Sequence, residues 1–322
     1  MAETKQITKP GRQTKLRTRA KAAAWKLRRT ERLQVLEIPA LKQIDWLSHG
    51  FSTRIGGNSD FAVRGGNAKA IEKVLNLGFT EWDSRERVSE NRTKFFRAIG
   101  CRGMHVVTLR QIHSDVVHRI DRVGASMPGR EYRGDALFTQ ERGALLVVQT
   151  ADCVPILLAD KKRRAIAAIH AGWRGTLRRI AEKTIGRMRM ELGMQPEDVI
   201  AALGPSIGRC CYEVGPEVAI DFHSQFSEAH EWFEGPFAPL VAGENDPNWL
   251  PWLTMMPPGH ALPPPRVHLD LIAANRAILI AAGVARENIF ASGFCTSCRA
   301  DLFFSHRREH STGRMMAAIG IL

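Results

Sequence analysis

The chain of 322 residues contains no apolar run that approaches the ~18 residues needed for a membrane-spanning helix, which excludes a helical membrane protein. No Walker A loop and no glycine-rich dinucleotide fingerprint occur, so nucleotide-cofactor folds have no signature here. A His-x-Glu with Pro-Cys-x-x-Cys is missing, and with it the usual zinc site of nucleobase deaminases. His-x-His pairs are also missing, which argues against a multicopper oxidase. Acidic residues are scarce at the start. Residues 1–32 hold eleven Lys or Arg against Glu3 and Glu31 alone, so this stretch carries +9 of the net +13. The remaining +4 leaves a nearly neutral body that is not built broadly for nucleic acid.

What is present is an ordinary soluble composition, with 44% hydrophobic and 25% charged residues. Residues 1–32 are expected to be a solvated, disordered arm. A targeting peptide and a weak, salt-sensitive contact to RNA or membrane are the other readings. The arm lacks an apolar signal core, so secretion is not expected. The six cysteines are scattered, with Cys210 and Cys211 adjacent, and reduced thiols in the cytoplasm are expected. Residues 33–322 read as one α/β domain with a mixed sheet flanked by helices. Strand-like runs lie at 33–38, 46–51, 104–109, 116–120, 144–148, 156–159, 165–169, 199–203, 289–292 and 315–321. Helical spacing marks 86–99, 173–192, 217–226 and 269–282. Gly100, Gly193 and Gly283 are the expected stops. Residues 60–80 read as irregular and glycine-rich. The stretch 234–266, rich in Pro and Gly with Trp232, Trp249 and Trp252 in or beside it, reads as a surface excursion or lid, packed on the body or on the second subunit of a homodimer.

The chemistry concentrates at the ends of apolar runs. Cys153 follows the run 144–148 in Gln149-Thr150-Ala151-Asp152-Cys153. His170 ends the run 165–169 and precedes Ala171-Gly172-Trp173-Arg174-Gly175. Between them lie the run 156–159 and the charged turn 160–164; if 156–159 and 165–169, joined by that turn, pair side by side, the thiol and the imidazole meet at one end of the sheet. His113, after 104–109, is the third candidate. One thiolate and two imidazoles suit zinc and leave its fourth position open, the arrangement of a catalytic site. A Cys153 nucleophile with His170 as base, oriented by Asp152 or another carboxylate, fits the same spacing; His113 favours metal. Arg54, before Ile55-Gly56-Gly57, is placed to hold an anion. Cys295-Thr296-Ser297-Cys298 has redox or zinc spacing, but no second Cys-x-x-Cys completes it.

At these residues the chain resembles the YfiH family, also called the laccase-domain or multicopper polyphenol oxidase family. The matching blocks include 49–59, 76–78 with Asn91-Arg92, 111–114, 134–139, 150–155, 169–176, 203–215, 269–275 and 294–313. The resemblance implies zinc held by His113, Cys153 and His170, with copper disfavoured. It also implies that Arg54 and Asn76 lie near a nucleoside and phosphate pocket, into which His113 also faces. The implied activities are phosphorolysis of adenosine, inosine, guanosine and methylthioadenosine, and hydrolytic deamination of adenosine. Peptidoglycan-precursor editing is linked to bacterial relatives. The alternatives are a Cys–His hydrolase, a laccase and a non-enzymatic RNA-associated protein. Residues 58–76, the length of 234–266 and the basic arm depart from the family pattern.

Overall fold

The computed structural model describes residues 25–30, 32–63, 70–122, 132–235 and 266–322. Strands β1 (Lys26–Thr30), β2 (Leu33–Glu37) and β3 (Leu47–Ser52) open the chain, with helix α1 (Pro39–Lys42) between the last two. The hairpin of β4 (Ile55–Val63) and β5 (Ala70–Val74) and helix α2 (Arg85–Ala98) follow. Next come β6 (His105–Val107), β7 (Val117–Ile120), β8 (Ala136–Thr139), β9 (Ala144–Thr150), β10 (Val154–Asp160) and β11 (Ala165–Ala171). Helices α3 (Trp173–Leu177) and α4 (Ile180–Leu192) lead to β12 (Val199–Leu203), β13 (Glu213–Val214), α5 (Pro216–Gln225) and β14 (Phe233–Glu234). The last elements are β15 (Val267–Leu269), α6 (Leu271–Ala281), β16 (Ile289–Ala291), α7 (His306–Glu309) and β17 (Met315–Ile321).

The mixed α/β class holds, and its strands are shared between two six-stranded sheets. One has the order β1-β2-β3-β17-β9-β6 and the other β16-β12-β10-β11-β8-β7. Most neighbours are antiparallel, while β6–β9, β7–β8 and β12–β16 are parallel. The apolar runs of the sequence are continuous because their strands bury both faces. In β11, Ile166 and Ala168 enter the core between the sheets, and Ala165, Ala167 and Ile169 enter the core beneath α4 and α6. In β17, Met315, Ala317 and Ile319 face the space between the sheets, while Met316 and Ala318 meet Phe95 of α2. The order of layers is therefore helix, sheet, sheet, helix.

Helix ends follow local rules. The Ser84 hydroxyl accepts the Arg87 N–H at the start of α2, and the Asp270 carboxylate accepts the Ala273 N–H at the start of α6. Gly100, Gly193 and Gly283 all have positive φ just beyond helices. The single helix expected over 173–192 is broken at Arg179, which is left-handed with φ 61°. Its guanidinium stacks on Phe226 at 4.2 Å, and the break turns Ile180, Ala181, Ile185 and Met188 of α4 onto the sheet.

Three other boundaries are corrected. The stretch expected as a disordered arm overlaps the fold, because Lys26–Thr30 pairs along β2 and Arg28 donates to Glu37 at 3.0 Å, while residues 1–24 lie outside the described residues. β1 is an edge strand, and an edge tolerates charge. Residues 60–80 include the end of β4 and the whole of β5, which pair antiparallel. Trp232 is 2% exposed and packs on Phe222 and Phe226, so it belongs to the core. The rest of the 234–266 expectation, including Trp249 and Trp252, falls on residues 236–265, outside the described residues. The flanks of that stretch are paired, Phe233 with Leu269 and Glu234 with His268. Among the described residues no helix is long and apolar enough to cross a membrane.

The two-sided burial has a measurable consequence. Leu157 of β10 is 0% exposed between the sheets, whereas Leu27 of β1 is 38% exposed. Leu157→Ala is expected to destabilise the protein by about 3 kcal/mol, and Leu27→Ala by about 0.5 kcal/mol or less. Denaturant midpoints of the two variants check this difference.

Candidate active site

β10 and β11 pair antiparallel, with Val154 opposite Ala171 and Pro155 opposite His170. The chain just before β10 thus brings Cys153 to the end of β11, as the two apolar runs predict. His113 reaches the same point from the loop between β6 and β7. The ligand atoms of His113, Cys153 and His170 lie within 4.8 Å of one another, and the two imidazoles meet edge to face at 5.0 Å between centroids. The three residues face an open cavity of about 480 Å³, a size suited to a small-molecule ligand.

The cluster is held by a carboxylate that the sequence reading did not single out. Asp135 is 0% exposed, and its Oδ1 accepts from His170 Nδ1 at 2.8 Å and from the His113 N–H at 3.1 Å. Its Oδ2 accepts from the Ser114 N–H at 2.6 Å and the Ser114 hydroxyl at 2.7 Å. Burial alone would raise the Asp135 pKa. The His170 ring and the two Ser114 donors outweigh burial and hold it at about 2. With Nδ1–H engaged, His170 presents Nε2 to the cavity, the arrangement that orients a metal-binding imidazole.

Backbone geometry at the site is unusual. His113 has φ 56° and Asp152 φ 96°, both left-handed in residues other than glycine. Such conformations cost on the order of 1–3 kcal/mol each and persist only where the surroundings fix them. Asp135 fixes the turn at His113. Asp152 is fixed by Thr296, whose hydroxyl donates at 2.7 Å, and by the Arg307 N–H, also at 2.7 Å. Asp152 therefore aims the neighbouring Cys153, and Asp135 is the carboxylate that orients His170. Gly172 makes room for the cluster: a Cβ there would lie 2.9 Å from Cys153 Sγ and 3.2 Å from His113 Cδ2.

The electrostatics suit a cation-binding thiolate. Burial raises the Cys153 pKa, but the His170 charge and hydrogen bonds with both imidazoles bring it down to about 6. Burial lowers His170, but Cys153 and Asp135 bring it up to about 9. These are two sides of one thiolate–imidazolium pair. A metal ion would replace the imidazolium proton, and two imidazoles with one thiolate form a donor set for a borderline metal.

Around the cluster the cavity is lined by Arg174, Arg307 and Arg314, with Trp173 and Tyr212 as aromatic walls. Burial, and then the Cys153 charge, push the Tyr212 phenol up, so it remains a neutral donor. Arg54 and Asn76 are not among the lining residues. The structure gives Arg54 other partners. The guanidinium is buried, donates to Glu309 Oε1 at 2.7 Å and to the Ala300 carbonyl at 3.1 Å, and lies 4.7 Å from the Phe304 ring centre. Asn76 is 0% exposed and its Oδ1 accepts the Arg314 N–H at 2.9 Å. Both residues hold the segment 300–314 from outside the cavity lining, and Arg307 and Arg314 of that segment line it.

Comparison with known proteins fits this arrangement. The purine nucleoside phosphorylase of Deinococcus radiodurans is 38% identical over 275 residues, 85% of this chain and 88% of that protein. Adenosine deaminase RL5, from an unknown prokaryotic organism, is 36% identical over 265 residues, 80% of this chain and 91% of its own length. The crystal structure of the Bacillus licheniformis hypothetical protein YfiH superposes with a TM-score of 0.72 at 28% identity, covering 91% of this chain and 98% of the other. Residues 48–322, which contain every residue of the cavity, match the multi-copper polyphenol oxidoreductase laccases, and the chain belongs to that family of YfiH-like proteins.

Proposed function

We propose that this protein is a zinc-dependent purine nucleoside phosphorylase acting on adenosine, inosine and guanosine. The observation that carries the reading is one cavity holding both a metal-competent His113–Cys153–His170 cluster and three arginines. Arg174, Arg307 and Arg314 supply guanidinium forks for phosphate. Phosphate held there attacks the ribose carbon that bears the base. The carbon–nitrogen bond breaks, and its electron pair leaves with the purine. Trp173 and Tyr212 offer faces for the base, and the neutral Tyr212 hydroxyl can donate a hydrogen bond to it. Zinc at the cluster would supply Lewis acidity beside the reacting groups.

Deamination of adenosine is the second reading, favoured by the similarity to adenosine deaminase RL5. Water replaces the purine amine and ammonia leaves. A panel of nucleosides on metal-analysed protein, with and without phosphate, tests both. Phosphate-dependent release of free base and ribose 1-phosphate is expected, and phosphate-independent ammonia release from adenosine would report the second activity. Failure of metal-replete protein to turn over any nucleoside, or full turnover after metal removal, would overturn the assignment.

Asp135→Asn removes the charge that engages His170 Nδ1–H. Metal affinity is expected to fall about 10–100-fold while the fold is retained, read by equilibrium dialysis and circular dichroism. Arg307→Met removes a charge-assisted contact, and the KM for phosphate is expected to rise about tenfold or more with zinc content unchanged. Arg54→Lys is expected to lower stability by about 2 kcal/mol, through its bond to Glu309 and its contact with Phe304, without altering zinc content. Parallel phosphate titrations and thermal melts separate the two arginines.

A further inference from the structure

Four of the six cysteines meet away from the cavity cluster. Cys210 and Cys211 lie on the loop after β12, and Cys295 and Cys298 on the loop after β16. β12 and β16 are parallel neighbours, so both loops leave the same end of the sheet. The sulfurs of Cys210, Cys211, Cys295 and Cys298 all lie within 4.8 Å of one another, with Cys210 and Cys211 at 3.5 and 3.4 Å from Cys298. All four are free thiols. A disulfide requires about 2.05 Å. A tetrahedron of sulfurs around zinc, with bonds of about 2.3 Å, has edges of about 3.8 Å. The observed spacing suits the tetrahedron. Cys295-x-x-Cys298 has no second Cys-x-x-Cys in the sequence; the adjacent pair Cys210-Cys211, drawn from about 85 residues away in the chain by the β12–β16 pairing, completes it instead.

We propose that Cys210, Cys211, Cys295 and Cys298 form a second metal centre, a closed four-thiolate zinc site that staples the loop after β12 to the loop after β16. The backbone is already arranged for it. The Gly208 N–H points at Cys295 Sγ at 3.2 Å, a donor suited to a metal-bound sulfur. A Cβ at Gly208 would lie 3.3 Å from Cys210 Sγ and 3.2 Å from Cys295 Cβ, so the loop fits closely around the sulfurs. The Thr296 N–H donates to the Ser206 carbonyl at 2.9 Å, which holds the loops in register. Cys210 and Cys298 are exposed, so a metal ion has a path in. Binding releases the thiol protons to solvent, and no oxidant is needed. The site is structural, with four protein donors and no open position. Of its neighbours in sequence, Tyr212 lines the cavity and Thr296 holds Asp152, so the staple fixes one wall of the pocket.

This inference does not depend on the reading of the cavity. Full-length protein purified with reductant and without chelator is expected to hold two zinc ions per chain. Cys153→Ala is expected to keep one of them, and Cys298→Ser to keep the other. Cobalt bound by the Cys153→Ala variant should show a strong thiolate-to-metal charge-transfer band. If zinc content is the same in Cys298→Ser as in the wild type, the second centre is refuted. Should Cys298→Ser fail to fold, alkylation of the wild type decides. Protection of Cys210 and Cys298 that resists reductant and is lost on chelation supports the site. Free alkylation of both in zinc-replete protein, or protection removed by reductant alone, overturns it.

Discussion

A buried carboxylate facing one imidazole on a loop and another on a strand is the constraint on which the site depends. Asp135 has no access to water, so its charge must be met by protein donors. Those donors are the turn at 112–114 and the ring of His170. Its backbone takes part as well, because its carbonyl accepts the His170 N–H at 2.7 Å and its N–H reaches the Val116 carbonyl at 3.0 Å. Two chain segments, residues 112–116 and the end of β11, are thereby fixed to one residue. The left-handed turn at His113 would have little reason to persist without this set of bonds.

Much of this architecture was legible in the sequence because two-faced burial writes continuous apolar runs. The runs 156–159 and 165–169, and the charged turn between them, point to neighbouring strands, and β10 and β11 are such a pair. The glycine stops were legible from the local rules of helix ends. The division into two sheets was not. β17 lies between β3 and β9, so its neighbours are set by contacts across most of the chain. A strand apolar on both faces gives no sign of which sheet it joins. The strand at Lys26–Thr30 was hidden for another reason: at a sheet edge its basic residues look like those of a solvated arm.

In the site, the three clustered donors were legible, and the residues that hold them were not. Asp135 sits beside Gly134 with nothing local to mark it, and its role comes from folding back on residues 112–114 and 170. Arg54 and Asn76 carried the polar signal expected of ligand contacts. Their partners, Glu309 and the backbone of Arg314, lie more than 230 residues away along the chain. The residues that reach the cavity, Arg307 and Arg314, stand among several basic neighbours that look alike in sequence. The pair Cys210-Cys211 was a poor fit to a disulfide framework, and only the parallel strands β12 and β16 bring it beside Cys295 and Cys298.

The left-handed Asp152 links two parts of the molecule that lie far apart in the sequence. The direction of the Cys153 thiol is set by a peptide whose conformation depends on a hydroxyl and an N–H from the segment 296–307. Drift selecting among variants of Thr296 would thus be filtered through metal retention, although Thr296 donates no ligand. The hydroxyl at 296 behaves as a remote part of the thiolate, and a Thr296→Val lineage would need a compensating anchor for Asp152 before it could keep the same grip on an ion.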